Sequence, residues 1–331
     1  RNRGAFWVLA TSLIPILLWE TFSLIYYGFP FPNTAYAKLN SGIAQSDLLW
    51  QGWLYFENIL IWDPLTLFII LAGITVTFIK GRADERAIAS GILLFFLYIL
   101  YIGGDFMSGR LFAAPLLISV ILLVRSLPQM PQFIKVPILI AAILYGFLAH
   151  SPTQLNLPKS PETAIGLNGI ADERAYYFND SGLVKVDLHA PVIPNHPWAR
   201  DGLTLKARGG VSVEYSVGYL GYFAGPGVHI VDRYALTDPL LARLPILDPK
   251  DWRIGHFIRD VPEGYVETLK TGTNLLADPD LAEYYDKLKL ITTGKIFDAE
   301  RLKTILEMNL GKYDYLIENY ARRQRKPLNQ Y

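Results

Sequence analysis

Ala87-Ile88-Ala89-Ser90-Gly91-Ile92-Leu93-Leu94-Phe95-Phe96-Leu97-Tyr98-Ile99-Leu100-Tyr101-Ile102-Gly103-Gly104 runs without a charge between Arg86 and Asp105. An α-helix crosses the hydrocarbon core of a bilayer with about 20 apolar residues, in a range of roughly 17–25. The stretch is therefore read as a membrane-spanning helix. Four other runs resemble it: residues 5–27, interrupted only by Glu20, then 64–79, 111–124 and 136–149. The last continues into the uncharged residues 151–158. The runs that fall short are bounded by Lys80, Arg110, Arg125 and Lys135, whose aliphatic stems reach the headgroups. One short run alone would equally suit a buried core helix; five in one half of the chain are read as a membrane region. A cleaved signal peptide is not expected, because the first run lacks a small-residue cleavage site and four more follow it.

Charge density divides the chain near His150. Residues 1–150 carry nine Lys/Arg and seven Asp/Glu, and residues 151–331 carry 22 and 23. Over all 331 residues, 51% are hydrophobic and 18% charged, with a mean hydropathy of +0.24. A water-soluble chain usually carries about 25% charge. This composition excludes disorder, collagen and a coiled coil. The net charge of +1 speaks against a nucleic-acid partner, which would call for a strongly basic face. The absence of cysteine removes disulfide scaffolds, zinc–thiolate sites and thiol catalysis. The first residue is Arg1 rather than Met, which suggests processing or a fragment. The fold expected is a multi-pass α-helical membrane region over residues 1–150, truncated at its N-terminus, followed by an extracytoplasmic α+β domain over 151–331.

The sidedness comes from the loops. With the Arg1 end cytoplasmic, the inner segments hold Arg1, Arg3, Lys80, Arg82, Arg86, Arg125 and Lys135. The outer loops, 28–63 and 104–110, hold only Lys38 and Arg110. Positive residues concentrate on the cytoplasmic side of membrane proteins, so both outer loops and all of 151–331 are assigned to the extracytoplasmic face of the cytoplasmic membrane.

In the outer half, residues 183–188, 203–205, 211–217 and 228–231 read as strands separated by Gly and Pro. From about Asp280 the pattern turns helical. Asp298 is placed as an N-cap ahead of Leu302, Ile305, Leu306 and Leu310, and residues 313–323 either continue that helix or begin another. The basic tail, Arg322-Arg323-Gln324-Arg325-Lys326, is read as a solvated helix end in preference to a headgroup contact. The glycines of 218–227 form neither a dinucleotide fingerprint nor a phosphate loop. His189 and His196 make no zinc motif, and no Gly-x-Ser-x-Gly elbow occurs.

Two outer segments carry more polarity than anchoring requires. Tyr26-Tyr27-Gly28-Phe29-Pro30-Phe31-Pro32-Asn33-Thr34-Ala35-Tyr36-Ala37-Lys38 leaves the first span through two prolines. An ordinary re-entry loop would account for it. The alternative has Lys38 neutralising a phosphate at the membrane surface, with Asn33 and Tyr36 bonding a sugar. In Gly103-Gly104-Asp105-Phe106-Met107-Ser108-Gly109-Arg110, one reading is a tight turn closed by an Asp–Arg pair. The other separates the charges: Arg110 grips a phosphate bidentately and Asp105 handles a sugar hydroxyl. Glu20 and Asp63, ionisable groups at or near membrane depth, are kept as weaker candidates.

These two loops resemble those of membrane glycosyltransferases of the GT-C class, in particular the terminal arabinofuranosyltransferases that finish cell-wall arabinan. Asp232-Arg233-Tyr234-Ala235-Leu236-Thr237-Asp238-Pro239-Leu240-Leu241-Ala242-Arg243-Leu244-Pro245, Trp252-Arg253-Ile254-Gly255-His256-Phe257 and Pro262-Glu263-Gly264-Tyr265 are similar to that family's soluble part. The resemblance implies a polyprenyl-phosphate sugar donor, transfer to a glycan acceptor outside the cytoplasmic membrane, inversion at the anomeric carbon, and the lipid bilayer as a partner. It places Asn33, Tyr36, Lys38 and Arg110 at the donor. Asp232, Tyr234, Arg243 and His256 fall at the acceptor, and Asp105 near catalysis. No metal ligand is assigned, and a divalent cation is left open as a cofactor. The family's base usually follows the first membrane helix, upstream of Arg1, so Asp105 is read as its partner or substitute. A membrane-anchored glycan-binding or envelope-assembly protein is the competing reading. A transporter or flippase would call for paired interrupted helices in two repeated halves, and no such repeat is visible.

Overall fold

Twenty-five residues, Asn2–Tyr26, form the first helix (α1) of the computed structural model, which describes residues 2–39, 41–126, 131–148, 165–166, 168–182 and 185–324. The chain folds as two compact units built from discontinuous segments. One comprises residues 1–42, 197–249 and 257–331, the other residues 43–196 and 250–256. The composition boundary near His150 lies outside the described residues.

The second unit holds α3 (Gln45–Trp62), α4 (Pro64–Lys80), α5 (Ala83–Tyr101), α6 (Ala113–Ser126), α7 (Gln132–Leu148) and α8 (Glu173–Ser181), numbered after α2 (Asn33–Leu39) of the first unit. All five apolar runs are thus helical. Among the described residues no single helix is long and apolar enough to cross a membrane; α3 and α4 pass that test only together, and they are bent by 107°. Asp63 makes the bend. Its carboxylate accepts from Thr66 N at 3.2 Å and Thr66 Oγ1 at 2.6 Å, capping α4 ahead of Pro64, whose missing N–H costs nothing at a helix start. Tyr55, Ile59, Ile70, Ile74, Ala89, Ile92, Ile99 and Phe112 form the core. A Cβ at Gly73 would meet the Ser119 side chain at 2.7 Å, which is how closely α4 and α6 approach.

The outer loop expected over 28–63 is instead largely α2 and α3. Asp47 and Glu57 interrupt a search for uncharged runs, while the rest of α3 supplies the apolar face that packs on α5.

The first unit adds α9 (Pro197–Arg208), β1 (Gly210–Glu214), α10 (Gly218–Ala224), β2 (Val228–Asp232), α11 (Tyr265–Thr271), α12 (Pro279–Thr293), α13 (Ala299–Asn309) and α14 (Asp314–Gln324). The strands at 211–217 and 228–231 are present in shorter or shifted form, as β1 and β2. They pair in parallel, Gly210 with Val228 through Glu214 with Asp232, with α10 between them in the chain. Residues 203–205 are not a strand. They belong to α9, whose Ala199, Gly202 and Leu205 are buried at three-residue spacing, the helical period. Residues 185–188 show no strand, and 183–184 lie outside the described residues. The core joins Phe29 and Ala37 to Val231, Leu240, Leu241, Tyr265, Leu281, Tyr284, Leu288, Ile291, Ile305 and Leu316.

Candidate functional site

The residues singled out from sequence fall into two groups, one in each unit. In the first unit, Asn33 opens α2 and its side chain spans a turn some two hundred positions away. Nδ2 donates to the carbonyls of Ala235 (3.0 Å), Leu236 (3.3 Å) and Asp238 (3.1 Å), and Oδ1 accepts from Arg243 Nη1 at 3.2 Å. Asp232 ends β2 buried and accepts from Tyr234 N (2.9 Å), Leu236 N (2.8 Å) and Thr237 N (3.1 Å). Burial raises the Asp232 carboxyl above its usual range against the pull of those hydrogen bonds. Asp238, also buried, accepts from Leu240 N and Leu241 N and from the Tyr265 hydroxyl. Burial lifts its pKa to about 6.

Arg243 donates to the Pro239 carbonyl at 2.6 Å, with its guanidinium 4.1 Å from the Phe29 ring centre and 4.5 Å from that of Tyr36. Burial lowers its pKa, opposed by neighbouring Tyr284, Tyr36 and Asp238. The Tyr36 phenol is shifted up by burial. Asn33, Asp232 and Arg243 are therefore fasteners of the 232–243 turn. The side chains of Asn33 and Asp232 and Nη1 of Arg243 are thus bonded within the turn, where contacts with donor and acceptor were expected of them. Tyr234 stands half-buried with its ring edge-on to Tyr215 at 5.8 Å. Lys38 is half-buried in the last turn of α2. Tyr36 and Arg243 do reach a cleft of about 580 Å³, which Phe29, Phe31, Tyr284, Asp314 and Glu318 also line.

The second unit assembles a different site. Gly103 and Gly104, at φ +81° and +71°, turn the chain out of α5 in a conformation that side chains disfavour. Asp105 follows, 5% exposed, and pairs with Arg110 at both oxygens: Nη2 to Oδ1 at 2.6 Å and Nε to Oδ2 at 2.5 Å. The two charges are joined to each other, as in the reading of a turn closed by an Asp–Arg pair. The Arg110 side chain is still 44% exposed.

Phe106 lies between, with Arg110 5.2 Å and Arg253 5.9 Å from its ring centre and the His256 ring edge-on at 4.4 Å. The loop is pinned by a parallel bridge from Met107 to Ala171. Phe106 O accepts from Ala171 N at 2.7 Å, and Ser108 N donates to Ala171 O at 2.9 Å. That bridge presents Glu173, the first residue of α8, behind the Asp172 cap. Burial raises the Glu173 carboxyl, while Arg253 and Arg110 pull it back and Asp105 and Asp172 add to the rise. Arg253 is steadied by its Nε bond to the Gly169 carbonyl at 2.8 Å. His256, expected at an acceptor site with Asp232, Tyr234 and Arg243, belongs to this cluster and not to theirs.

Two guanidiniums beside one aromatic ring, with Asp105 on Arg110 and Glu173 within electrostatic reach of both arginines, can take an anion on the arginines and a hydroxyl proton on a carboxylate. Glu173 and Arg253 were not among the residues chosen from sequence. The acidic pair at 172–173 ahead of a helix was the available signal. Glu20 lies half-buried on α1. Among the described residues no group of three His, Asp or Glu side chains is placed to hold a metal ion.

Two curated proteins are similar to part of the chain. Both are named terminal beta-(1->2)-arabinofuranosyltransferase. The one from Corynebacterium glutamicum is 31% identical over 147 residues, covering 39% of this chain and 21% of the relative. The one from Mycobacterium tuberculosis is 29% identical over 212 residues, covering 53% of this chain and 33% of the relative. The chain thus spans a third or less of the length of these relatives. No protein-family model and no solved structure matches it significantly. These similarities support relationship to arabinofuranosyltransferases.

Proposed function

We propose that the chain is part of a membrane glycosyltransferase that moves a sugar, read as arabinofuranose, from a polyprenyl-phosphate donor to a glycan acceptor on the extracytoplasmic face. The similarity to the two arabinofuranosyltransferases carries the reaction class, and the Asp105–Arg110 cluster is where the chemistry would sit. In an inverting transfer the acceptor hydroxyl oxygen bonds the anomeric carbon as the bond to the phosphate oxygen breaks. The phosphate leaves with its electron pair, and the hydroxyl proton passes to a carboxylate. Positive charge placed where the leaving group gathers negative charge lowers the barrier. Arg110 and Arg253 supply it beside Phe106. Asp105 holds Arg110 ready until a phosphate competes for the guanidinium, and Glu173 is the second carboxylate. The apolar helices keep this unit at the depth of a lipid-borne phosphate.

A second reading, glycan binding without transfer, is favoured by the aromatic cleft around Tyr36 and Arg243. The test is transfer by the full-length protein in vesicles supplied with a polyprenyl-phosphate sugar. Arg110→Ala is expected to cut transfer on the order of 100-fold, as losses of a charge-stabilising donor do, while Arg325→Ala leaves it near wild type. Equal losses in the two variants contradict the proposal.

A further inference from the structure

Helix α13 has one buried face and one exposed apolar face. Its inner face, Arg301, Thr304, Ile305 and Met308, is buried. Its outer face carries Leu302, Leu306 and Leu310 at four-residue spacing, one stripe on a helix. Leu306 is 61% and Leu310 76% exposed, and Phe297, just before the helix, is 81% exposed. A surface helix ordinarily turns charged residues outward, so this stripe calls for a non-aqueous covering.

The attachments of α13 say what covers it. Arg301, buried in full, donates Nη1 to the carbonyl of Ile25 (2.8 Å) and Nη2 to that of Tyr26 (2.9 Å). At the other end of the helix, Asn309 Nδ2 donates to the Gly28 carbonyl at 2.8 Å. An 11-residue helix, about 16 Å long, is thus fastened at both ends to three residues, Ile25, Tyr26 and Gly28, where α1 stops. It lies across that exit and does not lead away from it. Around the exit, α1 exposes Trp19, Phe22, Tyr26 and Tyr27, with Phe22 stacked on Tyr26 at 5.2 Å. Tyr and Trp gather where a helix leaves the hydrocarbon for the headgroups. The exposed aromatic end of α1 and the leucine stripe thus stand on elements fastened to each other at residues 25–28. Lys295 and Lys303 flank the stripe, with stems long enough to reach outward to water.

We propose that α13 is an interfacial helix: its Leu302–Leu306–Leu310 stripe and Phe297 lie in the headgroup–acyl boundary of the bilayer that α1 enters. Helices of this kind rest in the membrane plane with the apolar face sunk roughly 5–10 Å. The inference rests on the proposed membrane location of α1 and is independent of the transferase chemistry. Its consequence is that the first unit is held down on the lipid surface at a second point besides the anchor, which fixes its height above the membrane.

The absence of cysteine from the chain makes the test direct. Leu306→Cys, Leu310→Cys, Glu300→Cys and Leu17→Cys, each carrying a nitroxide, are compared in vesicles of phosphatidylcholine and phosphatidylglycerol. Accessibility to oxygen and to a water-soluble nickel chelate is read for each. All four positions are exposed in the fold, so the labels do not disturb it. The expected result is a several-fold preference for oxygen over nickel at 306 and 310, a stronger one at 17, and free access of nickel at 300. Nickel access at 306 and 310 equal to that at 300, with 17 still in lipid, overturns the inference and leaves α1 in the membrane. Low access of both reagents at 306 and 310 also overturns it, because the stripe is then covered by protein. Nickel access at 17 overturns the membrane location itself, and this inference with it.

Discussion

Arg259 and Arg301 of the first unit are used in the opposite way to Arg110 of the second. In the first, Arg259 and Arg301 are buried in full and donate only to carbonyls: Arg259 to Leu244, Phe257 and Ala37, Arg301 to Ile291, Ile296, Ile25 and Tyr26. Burial pulls the Arg259 pKa down to about 10. Arg243, with its carbonyl, amide and aromatic partners, is a half-buried version of the same device. In the second unit, Arg110 faces a carboxylate and keeps nearly half its surface in water. A guanidinium whose N–H groups are all answered by backbone is a staple, because moving it strands several buried carbonyls. One held by a single carboxylate at a solvent edge can exchange that partner for another anion. Position and partner type therefore set Arg110 apart from Arg259 and Arg301 where residue identity does not.

The comparison breaks most visibly at Arg259. Arg259→Ala removes donors from three buried carbonyls and is expected to cost at least about 3 kcal/mol of stability, read by chemical unfolding in detergent; a stable variant lacking only activity would turn the staple into a ligand contact. Asn33 sharpens it next. Asn33→Ala strands three carbonyls, on the order of 2 kcal/mol, and Asn33→Asp is expected to be worse because it sets a carboxylate against them. If Asn33 held a sugar instead, both variants would melt like wild type.

The effect at Asp238 depends on pH. The fold holds the Asp238 proton more tightly than the unfolded chain does, since the pKa rises from 3.8 to about 6. Its contribution to stability is full below about pH 4, falls as pH climbs towards 6 and stays low above. Asp238→Asn, whose amide still accepts from the same backbone, is expected to flatten that decline of roughly 2–3 kcal/mol; an unchanged slope in the variant would place the titration elsewhere.

Much of the helical content was readable because an uncharged run announces itself without knowledge of its neighbours. Asp298 was equally readable: its carboxylate accepts from Arg301 N at 2.9 Å and caps α13 as its spacing implied. Residues 203–205 misled because three apolar residues alternate too briefly to distinguish strand from helix, and the deciding period lay in the flanking Ala199 and Gly202. In the site, Asp105 and Arg110 could be paired from sequence because five residues separate them. Glu173 and Arg253 join them only through the bridge at Ala171 and the return of residues 250–256, contacts that no local pattern encodes. Asn33 looked like a sugar ligand because an exposed loop amide usually is available; its partners sit at 235–243, brought there by tertiary folding.

The central claim is that Arg110 serves a phosphate-bearing donor and does more than close a turn. Steady-state transfer by the full-length protein, with donor and acceptor varied in turn for Arg110→Ala and Arg110→Lys beside wild type, tests it directly. The account predicts that Arg110→Ala lowers kcat/KM for the donor about 100-fold, with Lys recovering part of it, a loss larger than the destabilisation from stranding Asp105 accounts for. Wild-type donor kinetics in Arg110→Ala, or a loss that tracks unfolding alone, would contradict it.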